Sequence, residues 1–167
     1  MAHVAMAAAS DAPNHPKAVS QALIAFLSFN IGVGSVMGTP GVLLPHMQEH
    51  LRVSAEAASA GLLSVMVASA VFAPQIGALA VKRSLRGLMV SAAIMLAVAW
   101  LLLAFTKSYP IFLAVHAILF GPCMAITGSV LSPTLITRWF NRNRGLAIGL
   151  CHIPIMVAIM PIAAEWV

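Results

Sequence analysis

The sequence predicts an all-α integral membrane protein with about five transmembrane helices. Three observations carry this. The 167 residues are 61% hydrophobic and only 8% charged, whereas an average soluble chain carries roughly a quarter charged residues. Five apolar runs reach the about 20 residues that a helix needs to cross a bilayer core. Nearly all nine basic and four acidic residues fall between those runs. A membrane β-barrel would need alternating segments of about ten residues, and AAIMLAVAWLLLAF is apolar on every side.

The helices are expected over about 21–45, 56–81, 87–106, 109–137 and 144–166, within one membrane domain of residues 21–167. Residues 1–20, rich in Ala with Asp11, Pro13 and Pro16, are expected to form a disordered cytoplasmic tail. The first apolar run outlasts the about 7–15 residues of a secretory signal core, so it is read as a span. It carries NIGVGSVMGTPGVLLP, and the fourth carries GPCMAITGSVLSP. These glycine- and proline-interrupted runs stand three helices apart, which is the pattern of transporters built from three-helix repeats. The third run has neither Gly nor Pro after Gly87 and reads as a lipid-facing support.

Lys and Arg are retained on the cytoplasmic side of a membrane. With the N-terminus inside, Lys17, Lys82, Arg83, Arg86, Arg138, Arg142 and Arg144 face the cytoplasm, and only Arg52 and Lys107 face out. The expected location is an integral protein of a bacterial inner (plasma) membrane. The basic stretch RWFNRNRG then reads as a hairpin between the fourth and fifth helices, with Trp139 and Phe140 at the interface. Its arginines are either topology anchors or gate residues that pair with acids or helix C-termini elsewhere.

Nine basic residues are too few and too scattered for a nucleic-acid footprint, despite the net charge of +5. No P-loop, GxSxG, HExxH or acid pair within one span is present, so no enzyme activity and no cofactor are expected. Cys123 and Cys151 lie in apolar runs without CxxC spacing. Asn30, Gly34, Gly38 and Gly41 recur every three to four residues and share a face. That stripe is either a close-packing surface or the lining of a substrate cavity, with Asn30 as its polar group. Thr39, Thr127 and His116 are further cavity candidates, although Thr127, Ser129, Ser132 and Thr134 can each satisfy themselves on their own backbone. His116 and His152 are the titratable imidazoles of the spans, able to carry protons or to act as neutral hydrogen-bonding groups. His152, Met156 and Met160 at fourfold spacing also offer soft ligands to Cu(I), while methionine equally serves as flexible filler.

The segments GVLLPHMQEHLRVSAEAASAG, RWFNRNRGLAIGL and GPCMAITG resemble the N-terminal part of a major facilitator superfamily transporter, of the monocarboxylate and oxalate/formate antiporter branch. The resemblance covers about residues 20–167 and implies five helices of a six-helix half. The loop GALAVKRSLR is similar to the superfamily signature Gly-x3-Asp-Arg/Lys-x-Gly-Arg-Arg/Lys at Gly77, Lys82 and Arg86, but Val81 stands where the signature has its acid. The resemblance implies alternating-access transport of a small organic anion, with a small-molecule substrate and the bilayer as partners. It also implies a missing C-terminal half or another copy of the chain. The other classes are a truncated, non-transporting membrane protein that acts by helix–helix interaction, and a Cu(I) transporter.

Overall fold

The computed structural model describes residues 14–164, and among them every regular element is helical. Seven helices make up the five expected passes: α1 (Ala18–Gly38), α2 (Pro40–Leu51), α3 (Ala55–Lys82), α4 (Leu85–Phe105), α5 (Tyr109–Trp139), α6 (Arg144–Cys151) and α7 (Ile155–Ala164). Four of them, α1, α3, α4 and α5, are long and apolar enough to cross a membrane. At 1.5 Å per residue, the 28 residues of α3 exceed the roughly 30 Å hydrocarbon core. Ser54 and Ser84 start α3 and α4 by accepting hydrogen bonds from the backbone N–H of Ala57 and Gly87, the usual service of an N-cap serine.

The interruptions follow the prolines. A proline cannot donate to the carbonyl four residues back, and its ring pushes that carbonyl away. In α1 and α5 the turn ahead of such a proline widens into π-helix. Gly34–Gly38 precedes Pro40, His116–Phe120 precedes Pro122, and Ala125–Leu131 precedes Pro133. Each widened turn lodges the displaced carbonyls without ending the helix. The expectation that the first and fourth helices are the irregular ones is therefore met, and α4 runs straight from Leu85 to Phe105.

Two expectations are corrected. The fifth helix is not continuous over 144–166: it stops at Cys151, passes through His152, Ile153 and Pro154, and resumes at Ile155. Pro154 brings no N–H to the ladder, so the preceding turn cannot close. Residues 165–167 lie outside the described residues. The expected tail over 1–20 is ordered from residue 14, residues 1–13 lying outside the described ones. Asn14 Oδ1 accepts from the backbone N–H of Asn141 and Arg142 at 2.9 and 2.8 Å, and His15 N–H donates to Trp139 O. The chain is thereby fastened to the α5–α6 hairpin before α1 begins.

In lipid, helices gain little from burying apolar surface against one another, so small residues and interhelical hydrogen bonds hold them. Ser132 Oγ donates to Ala25 O of α1 at 3.1 Å, rather than to its own helix as the sequence suggests. Cys123 Sγ reaches Ala92 O of α4, and Cys151 Sγ reaches Ala22 O of α1. Two glycines mark close crossings. A Cβ on Gly34 would collide with Met156 of α7, and one on Gly121 would sit 2.5 Å from Ala68 Cβ of α3. The first pass thus packs on the fifth and the fourth on the second. One apolar core, including Ile76, Leu88, Leu131 and Ile136, lies towards the end bearing most basic residues. A second, including Val65, Leu103, Phe112 and Phe120, lies towards the other end.

Candidate functional site

The irregular backbone converges where α1, α5 and the α6–α7 break meet. Asn30, on the last regular stretch of α1 before its π turn, is 2% exposed. Its Nδ2 donates to Phe26 O and to Ile153 O, both at 3.1 Å, and its Oδ1 accepts from Met156 N–H at 3.0 Å. One amide therefore serves a carbonyl and an N–H released by the Pro154 break. An unsatisfied group inside a bilayer costs several kcal/mol, and irregular backbone persists at that depth only where protein or a cavity satisfies it.

His152 closes the same junction from the other side. Its Nδ1 lies 2.8 Å from Ile148 O and its Nε2 3.2 Å from Gly128 O, in the π-helical part of α5. Its ring packs on Phe29 with centroids 4.6 Å apart. Thr127, adjacent to Gly128, is buried against Gly32 of α1, its hydroxyl donating to Cys123 O at 2.9 Å. The junction joins α1, α5, α6 and α7 through backbone acceptors and amide, imidazole and hydroxyl groups.

The other candidates lie elsewhere. Gly38 is buried, and Thr39 turns its hydroxyl to Ser35 O at 2.7 Å. His116 lines a separate cavity of about 250 Å³ near Pro40, together with Trp100, Phe112 and Phe120. Its Nδ1 lies 2.8 Å from Phe112 O, and its ring contacts those of Phe112 and Phe120. Asn30, Gly34 and Thr127 thus share one locus, and His116 occupies another.

At the basic end, Arg138 Nη2 donates to Ala80 O, in the last turn of α3, at 3.3 Å. This is contact with a helix C-terminus, where a cation meets the negative end of the dipole. Arg144 bonds locally, to Phe140 O and to Asn141 Oδ1, and the backbone of Arg142 is held by Asn14. Lys82, Arg83 and Arg86 are exposed. The acids of the described residues, Glu49 and Glu56, sit at the opposite end.

The same break separates the residues of the Cu(I) reading. His152 and Met156 stand on different sides of Pro154, so fourfold spacing no longer puts them on one face. Both imidazole nitrogens face carbonyls, Met156 packs against Gly34, and the Met160 side chain lies outside the described ones. Sequence reading missed Asn14 and the aromatic wall around His116. It also missed the junction role of His152, whose partner Gly128 O lies 24 residues away in sequence.

Neither a curated protein nor a solved structure matches the chain. The family model described as Major Facilitator Superfamily matches residues 18–167, from the start of α1 onward. With its membrane-length apolar helices and its π-broken first and fourth passes, the chain belongs to the major facilitator superfamily, a family of membrane transporters.

Proposed function

We propose that the chain contributes to secondary transport of a small organic anion by alternating access, in the manner of the monocarboxylate and oxalate/formate antiporter branch it resembles. The observation that carries the reading is the crossed packing of the two irregular passes. Gly34 of α1 receives Met156 from the fifth pass, and Gly121 of α5 receives Ala68 from the second. Two three-helix repeats related by a pseudo-twofold axis would exchange partners in this way, and repeat interfaces are where transporters hold substrate. An anionic solute is favoured because, among the described residues, the four membrane-length helices hold one acid, Glu56 in the first turn of α3, so their interior sets no like charge against a carboxylate.

In this reading the junction of Asn30, Thr127 and His152 is the place where the halves of the bundle bend. Asn30 holds the α6–α7 break, and Gly34 and Gly38 allow the helices to approach along it. Thr39 and His116, nearer the Pro40 end, face the approach from that side. The basic hairpin of Arg138, Arg142 and Arg144, with Lys82, Arg83 and Arg86, closes the opposite end.

The test is uptake of labelled short mono- and dicarboxylates into proteoliposomes bearing the gene product. Saturable uptake above empty vesicles, reduced by His116→Ala at equal protein content, is the expected result. Correctly inserted protein that moves none of these acids would leave the interaction-only reading in its place.

A further inference from the structure

We propose that the cleft at the basic end of the bundle binds the headgroup of an anionic phospholipid. The cleft is open, holds about 750 Å³, and lies between α1, α4 and α5. Its polar rim is built from His15, Gln21, Arg86, Arg138 and Trp139, and its walls from Ile24, Leu85, Met89 and Leu135.

The charge balance at this end favours an anion. Arg86 and Arg138 bring two guanidinium groups to one cleft. Arg138 gives one N–H to Ala80 O, and Arg86 has neither a hydrogen bond nor an ion pair among the described residues. Glu49 and Glu56 are at the far end of the molecule. A guanidinium presents a planar fork of donors that matches a phosphodiester, and two forks on one cleft can grip one phosphate from two sides.

The walls select the source of that phosphate. The same lining carries the apolar Ile24, Leu85, Met89 and Leu135, and Ile24 remains partly exposed. A soluble phosphate leaves the exposed Ile24 without a partner, whereas a lipid lays its acyl chain along it while its headgroup meets the arginines. Trp139 stands at the rim, where the amphipathic indole suits the headgroup level, and the His15 ring fixes it edge-on at 4.6 Å. Basic pockets between membrane helices recognise anionic headgroups on this principle. The site is independent of the transported solute.

The experiment is energy transfer from Trp139, in a W100F/W166F background, to dansyl-labelled lipid in vesicles of phosphatidylcholine doped with phosphatidylglycerol. Phosphatidylglycerol is expected to reach half-maximal transfer at a mole fraction at least about fivefold below that of labelled phosphatidylcholine. R86Q/R138Q should remove that preference, and R142Q/R144Q, outside the cleft, should keep it. Should the first variant fail to insert, the wild-type comparison still decides, because equal transfer from the two lipids overturns the proposal. Loss of the preference on adding inorganic phosphate, but not chloride of equal ionic strength, would assign the cleft to a soluble anion and overturn it as well.

Discussion

Asn30 has a carboxamide with two donors and one oxygen, and all of these are spent on main chain. Replacing it by Ala leaves Ile153 O and Met156 N–H facing an apolar interior. A buried unsatisfied polar group costs about 1–3 kcal/mol, while single interhelical hydrogen bonds measured in membranes average nearer 0.6 kcal/mol. With two interhelical bonds lost, Asn30→Ala should destabilise the bundle by about 1–3 kcal/mol. Thermal unfolding in detergent reads this directly. An unchanged midpoint would mean that the break satisfies itself, and Asn30 would return to the role of a free polar group in the cavity. Thr127→Val is the contrast. Its hydroxyl bonds only to its own helix, at Cys123 O, and the methyl that replaces it keeps the shape, so its midpoint should move by less than about 1 kcal/mol.

Among the elements, the crossing of α3 and α5 has a geometry that depends on a missing side chain. Gly121→Ala places a Cβ 2.5 Å from Ala68 Cβ, with Ala68 C and Ser69 N both at 3.4 Å. Backbone on the far side cannot yield as a flexible side chain would, so the helices must part, at a cost of about 1–3 kcal/mol. Gly77→Ala meets nothing within 4 Å and should be neutral or stabilising by up to about 1 kcal/mol, because Ala is the better helix former. Adding Ala68→Gly to Gly121→Ala should restore most of the loss, and failure of that rescue would show that the crossing is not the contact that matters. The irregularity of α1 and α5 was legible before the structure, since glycine and proline punctuate both. The break between α6 and α7 was not. Pro45, Pro74 and Pro161 all lie inside continuous helices, so a proline alone does not decide. What lets Pro154 open the chain is an amide 123 residues away in sequence, and no local pattern announces it. The same distance hid the site: Asn30 was visible as a polar residue in a span, but its partners were not.

At the scale of the whole molecule the charges are sorted along one axis. Lys17, Lys82, Arg83, Arg86, Arg138, Arg142 and Arg144 fall at helix ends that share one side of the bundle, and Arg52, Lys107, Glu49 and Glu56 fall at the other. Contacts between those ends, from His15 to Trp139 and from Arg138 to Ala80, confirm that the first three groups of cations are neighbours in space. Each positive charge moved outward against a potential of 100 mV, inside negative, costs about 2.3 kcal/mol. Inverting a chain with seven basic residues at one end and two at the other therefore costs on the order of 10 kcal/mol, more than any single loop contact described above. The N-terminus and the α5–α6 hairpin should accordingly face the cytoplasm. Single cysteines at Arg142 and Lys107 test this against a membrane-impermeant maleimide in intact cells, with little background because Cys123 and Cys151 are both buried. Lys107→Cys should react and Arg142→Cys should react only after the membrane is opened. The reverse pattern would place the anionic-lipid cleft and the closing arginines on the outer face, where the potential opposes them, and charge sorting could no longer be what orients the chain.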